Sequence, residues 1–151
     1  MTTLRPAPHS RSQDAWPLPG DAQAVATARA TARKALEGLG VDPELVDDAV
    51  LMMSEIVTNA LLYGDPPYEM AVSADRREIV CGVIDSGPPL PEPRTPGSGD
   101  ERGRGLHIVA ILSEGFYGCH PQRYLTWPDR LGKATWFALP RTPETDGGFR
   151  I

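Results

Sequence analysis

Residues Ser54 to Gly87 read SEIVTNALLYGDPPYEMAVSADRREIVCGVIDSG, and inside this stretch the hydrophobic period changes. Up to Tyr63 the apolar residues recur every three or four positions, the spacing of one helix face. They extend a run that begins at Glu44 and carries Leu45, Ala49, Met53, Ile56, Val57 and Ala60 on a wide apolar face. Gly64 and Pro66-Pro67 stop that helix. From Tyr68 the pattern alternates: Tyr68, Met70, Val72 and Ala74 on one side, Glu69, Ala71, Ser73 and Asp75 on the other. A strand is predicted there. Arg76-Arg77 make a turn, and Glu78 to Asp85 (EIVCGVID) is apolar enough for a central strand.

Working outward, Asp21 to Leu39 is Ala-rich, with Val25, Ala28, Ala32, Leu36 and Leu39 at helical spacing. Asp21 is the expected cap and Gly40 the expected stop. Asp42-Pro43 then opens the second helix, a capping residue followed by Pro in the first turn. Beyond Asp85 a loop leads to a helix over Leu106–Leu112, and Phe116–His120 and Lys133–Leu139 read as strands. Helices and strands grouped with hairpin-like links predict an α+β two-layer sandwich, with a mixed, mostly antiparallel sheet and helices on one face. The polar ends, 1–15 and 142–151, read as disordered tails around one domain over 16–141.

The chain has 151 residues and a formal charge of −5. An acidic chain of this size argues against a phosphate-backbone binder, and no direct nucleic-acid partner is expected. No apolar run approaches the roughly 18 residues of a membrane helix. The first residues lack the apolar core of a signal peptide, so a cytoplasmic protein is expected. Cys81 and Cys119 make no disulfide framework, and neither has a zinc-type spacing to His120, so both read as buried thiols. The unusual number is Pro plus Gly, 31 of 151 residues. Ten of the twenty residues from Ser86 to Gly105 are Pro or Gly, which marks that loop.

Three places carry chemistry. Glu55 and Asn59 are four apart, hence neighbours on one helix face at the margin of its apolar stripe. A carboxylate and a carboxamide there are costly unless they bind something. Asp85-Ser86-Gly87 ends the most apolar strand; Asp85 can accept a hydrogen bond from an exocyclic amine such as adenine N6, and Gly87 lets backbone approach a flat ring. Arg102-Gly103-Arg104-Gly105-Leu106 precedes a helix, whose free N–H groups make a phosphate site to which both arginines add charge. Each motif alone also has an ordinary reading: solvated edge residues, a turn, a flexible helix entry.

In this order and spacing the three motifs resemble the GHKL (Bergerat-fold) ATPase superfamily. Within it the sequence is most similar to the small actinobacterial ATP-binding proteins akin to anti-sigma-factor serine/threonine kinases. SEIVTNALLYG resembles the N box, VIDSGPPLP the G1 box and GRGLHIVAIL the G2 box; WPLPGDAQAVATAR and GKATWFALP are similar to the opening and closing segments. The resemblance spans about 16–140. It implies ATP and Mg²⁺ as cofactors, with Asn59 holding the metal and Glu55 as general base. It also implies Asp85 at adenine N6, Gly87 leaving room for the base, and Gly103, Gly105 and Leu106 offering backbone N–H groups to the phosphates. The loop over about 86–104 becomes an ATP lid. The implied activity is phosphoryl transfer to a serine of a STAS-type anti-sigma-factor antagonist, with a sigma factor and a second copy of the chain as further partners. The alternative is a non-catalytic module of the same fold that sequesters a sigma factor or another regulator by contact alone.

Three departures bear on this. Tyr63 stands where His is common. Pro88-Pro89 replace a second glycine of the G1 box. The closing strand reads GKATW where GKTVW is usual, so Ala134 takes the place of a Thr that contacts adenine through water, and Thr135, one residue on, is expected on the opposite face.

Overall fold

A computed structural model describes residues 12–88 and 101–141, apart from the side chains of 101–106. The chain order is β1 (Ser12–Leu18), α1 (Gln23–Gly38), α2 (Pro43–Tyr63), β2 (Tyr68–Ala74), β3 (Glu78–Asp85), α3 (Glu101–Leu112), β4 (Tyr117–Arg123) and β5 (Leu131–Pro140). The strands form one five-stranded sheet in the order β1-β2-β3-β5-β4, and every ladder among the described residues is antiparallel. The expected α+β two-layer architecture is therefore present, with a wholly antiparallel sheet in place of the mixed one.

All three helices lie on one face. The alternation read in β2 places Tyr68, Met70, Val72 and Ala74 on that face, and the ladder puts Val83, Cys81 and Ile79 of β3 beside the last three. These residues share one core with Ala28, Ala32 and Leu36 of α1, Met53, Ile56, Val57 and Ala60 of α2, and Val109 of α3. Cys81 is fully buried, which pushes its thiol up to about 12. Cys119 is exposed, contrary to expectation, because β4 is an edge strand.

The opposite face is closed at one end by the segment between β4 and β5. Ile84, Tyr124 and Ala134 make a small cluster there. Glu69, 1% exposed, points into it from β2. Its carboxylate accepts the Leu125 amide at 2.7 Å, the Thr126 amide at 3.1 Å and the Thr126 hydroxyl. A buried carboxylate is tolerable here because backbone and side-chain donors satisfy it.

Two boundaries differ from the sequence reading. Residues 12–15, read as tail, form the first half of β1 and pair with β2, Ser12 opposite Ala74. Polar alternation hid this edge strand, because an edge gains its ladder hydrogen bonds from one neighbour whatever its side chains are. The third helix starts at Glu101, five residues before the expected Leu106. Residues 1–11, 142–151 and most of the expected lid (89–100) lie outside the described residues.

Candidate functional site

The site is built where the end of α2 meets the end of β3. Gly64 closes α2 with its amide on the Ala60 carbonyl at 2.8 Å. The chain then passes Asp65, whose carbonyl accepts the Ser86 amide at 2.8 Å, and this bond joins the residues after α2 to those after β3. The join is tight. A Cβ on Gly64 would fall 2.5 Å from Asp85 Oδ1, and one on Gly87 would fall 2.7 Å from the Gly64 Cα. In this structure the room that Gly87 leaves is taken by the turn at Gly64–Asp65. The glycine lets two backbone segments approach, as its place in the sequence implied, but the segment approaching is the chain's own.

Asp85 is 2% exposed and faces the helices. Its Oδ1 accepts the Gly87 amide at 2.7 Å and, more distantly, the Asp65 amide at 3.4 Å. Lys133, directly opposite in the β3–β5 ladder, places Nζ 2.7 Å from both carboxylate oxygens. Both side chains of this ion pair are buried. Lys133 belongs to none of the three motifs; it stands in the closing segment GKATWFALP, in a strand remote in sequence from Asp85. Gly132 is itself constrained, since a Cβ there would lie 2.6 Å from the Asp85 carbonyl oxygen.

Tyr124 braces the same corner. Its hydroxyl donates to the Pro67 carbonyl at 2.6 Å and therefore accepts from Ser86 Oγ at 2.8 Å, since a hydroxyl has one proton to give. Glu69 thus holds the segment 124–126 down, and that segment holds Tyr124 against Ser86. Neither Tyr124 nor Glu69 stands in a motif, because their partners are remote in sequence.

On α2, Glu55 and Asn59 lie one turn apart, as the spacing predicted. Asn59 is 4% exposed, and its Nδ2 is buried without a hydrogen-bond partner among the described residues. Glu55 is half-buried, and burial raises its carboxyl above the ordinary range. Native interiors rarely leave an amide group unsatisfied unless it serves a ligand or a reaction.

The third motif is rearranged. Arg102, Gly103, Arg104, Gly105 and Leu106 lie within the first two turns of α3, not before it. The free amides of a helix are its first four, here 101–104. Gly103 keeps such an amide, whereas those of Gly105 and Leu106 fall where the helix bonds them internally. The two arginine side chains are outside the described residues. The alternation expected in β5 holds with its faces exchanged. Thr135 pairs with Val83 on the helix side, while Ala134 joins Ile84 and Tyr124 on the other. The register with β3 decides this, and it cannot be read from β5 alone.

The residues present fit a nucleotide in one definite respect: the unpartnered Asn59 Nδ2 is a donor that an acceptor atom such as a phosphate oxygen would satisfy, one helical turn from a half-buried carboxylate. Among the described residues no group of three or more His, Cys, Asp or Glu could hold a metal by itself. A metal here would be held by the Asn59 carboxamide oxygen, Oδ1, together with a phosphate ligand. No described helix is long and apolar enough to cross a membrane.

No curated protein matches the chain. Residues 18–118 match the family described as the histidine kinase-like ATPase domain, about two thirds of the chain. With the matching α+β architecture and the Glu55, Asn59 and Asp85 arrangement, the chain belongs to the histidine kinase-like ATPase domain family.

Proposed function

We propose that this protein is an ATP-binding regulator that acts as a protein serine/threonine kinase on an anti-sigma-factor antagonist. The observation that carries the reading is the Asn59 Nδ2, a buried donor without a partner among the described residues, one helical turn from the half-buried carboxylate of Glu55. Asp85 binds the purine, Asn59 would hold Mg²⁺ through Oδ1 beside the triphosphate, and the amides at the start of α3 meet the phosphates. Mg²⁺, when bound, would supply charge neutralisation of the triphosphate. Glu55 accepts the proton of the attacking serine hydroxyl; its raised carboxyl suits a base working near neutral pH. Phosphoryl transfer asks mainly for positioning and electrostatics, so this small set of groups is sufficient.

A second reading is a contact-only module in which nucleotide is optional. The Lys133–Asp85 pair favours it, because the charge of the carboxylate is paired without any base. Calorimetric titration with Mg-ATP separates the two. The kinase reading expects binding that Asn59→Ala abolishes, and transfer of labelled phosphate to a STAS-type antagonist that Glu55→Gln abolishes. Transfer undiminished in Glu55→Gln removes Glu55 from its role, and absence of Mg-ATP binding removes the kinase reading altogether.

A further inference from the structure

A carboxylate alone at a purine pocket selects by hydrogen-bond sign. It accepts from the 6-amino group of adenine and meets the 6-oxo group of guanine or hypoxanthine as acceptor against acceptor. Here the carboxylate is not alone. Lys133 Nζ lies 2.7 Å from both Asp85 oxygens. Asp85 Oδ1 is crowded, with Lys133 and Gly87 at 2.7 Å and Asp65 at 3.4 Å. Among the described residues Asp85 Oδ2 takes Lys133 alone, at 2.7 Å. A carboxylate has about four acceptor sites and an ammonium three donors, so the pair keeps at least one acceptor position on Oδ2 and one N–H on Lys133 uncommitted. No other partner of Lys133 exists among the described residues.

We infer that the base pocket reads the purine through the Asp85–Lys133 pair jointly, and that it accepts 6-oxopurine nucleoside triphosphates as well as ATP. This rests on the reading of Asp85 as the purine-binding residue. Adenine presents an N6 donor beside the N1 acceptor; hypoxanthine and guanine present an O6 acceptor beside an N1 donor. One acceptor and one donor at the same corner satisfy either pattern, with the roles of the two side chains exchanged. A site rejects an analogue strongly only when that analogue leaves one of its buried polar groups unpaired. Here neither base does so. Lys133 is on this account a specificity-determining residue, and the specificity it sets is broad.

Inosine triphosphate is the informative probe, because it differs from ATP at the 6-position without the 2-amino group of GTP. Titration of the wild-type chain with Mg-ATP and Mg-ITP is expected to give dissociation constants within about tenfold of each other. Lys133→Met keeps an unbranched stem and removes the donors, and it is expected to weaken ITP at least about tenfold more than ATP. Wild-type binding of ATP with ITP more than about tenfold weaker overturns the inference by itself, whatever the stability of the variant. Equal losses for both nucleotides in a Lys133→Met protein that melts cooperatively also overturn it. Failure of the wild type to bind either nucleotide overturns the ATP reading and this inference together, whereas ATP bound without ITP overturns this inference alone.

Discussion

Asn59→Leu is expected to stabilise the nucleotide-free protein and to abolish its response to Mg-ATP. Asn59 is 4% exposed and its Nδ2 has no partner among the described residues, so folding strips water from that donor and returns nothing. Such a group costs about 1–3 kcal/mol. Leucine has the same branched outline as asparagine and has nothing to satisfy, and it sits among Ile56, Val57 and Ala60 in a helix that leucine favours. A gain of about 1–2 kcal/mol remains after some loss to imperfect packing. For a folded unit of this size that is a rise in melting temperature of about 4–8 °C. The ligand term has the opposite sign. Nucleotide at a hundred times its dissociation constant stabilises the wild type by about 2.7 kcal/mol, or roughly 10 °C, and the variant by nothing. Thermal unfolding of both proteins, with and without Mg-ATP, reads all four values. A variant that melts below wild type without nucleotide would show that the Asn59 amide is satisfied in the fold. A variant that keeps the nucleotide shift would show that Asn59 is not a ligand.

Glu55→Gln should show the same opposition with a pH signature. Burial raises the Glu55 carboxyl, so its contribution to stability is whole below the unfolded value and is lost as pH rises through the raised folded value. The variant is therefore expected to melt slightly above wild type near about pH 8 and level with it near about pH 4, while losing phosphoryl transfer. A gain that does not depend on pH would refute the assignment. Glu69→Gln replaces a carboxylate that accepts the Leu125 amide, the Thr126 amide and the Thr126 hydroxyl, and it should cost about 2–3 kcal/mol in a denaturant titration, with faster proteolysis within 124–130. A change under about 0.5 kcal/mol would show that the segment is held by packing alone. Gly64→Ala puts a methyl group 2.5 Å from Asp85 Oδ1 and 2.8 Å from the Ala60 carbonyl oxygen, so it should cost about 1–3 kcal/mol and weaken Mg-ATP binding together. Stability lost with affinity unchanged would show that the turn at Gly64–Asp65 does not position Asp85 for the base.

Local pattern was enough for the helices and the central strands. The change of period after Gly64 came from side-chain burial on a repeating backbone, and a repeat is visible in one dimension. The Glu55–Asn59 pair was legible for the same reason, since four residues in a helix are one turn wherever the helix is packed. Asp85 was legible as a strand end, and Gly87 as a place of close approach. The polar edge strand β1 was not, because its alternation carries no burial signal. The start of α3 was not, because Gly103 and Gly105 read as a break while the helix carries both.

Tertiary structure alone decided what surrounds these residues. Whether Asp85 stands free or paired depends on the register of β3 with β5, which sets Lys133 opposite it across forty-eight residues of chain. The same register puts Thr135 on the helix face and Ala134 on the other. The bracing of Ser86 by Tyr124, and of the Tyr124 segment by Glu69, joins residues that share no local pattern. The sequence determined by itself that this chain is a helix-and-sheet domain with a carboxylate, a carboxamide and a strand-end aspartate in a recognisable order. The fold decided that the aspartate comes with a buried cation and that the carboxamide nitrogen comes without a partner among the described residues. The physical reason is that periodicity reports which way a side chain faces, whereas charge pairing and hydrogen-bond satisfaction depend on which strand lies beside it.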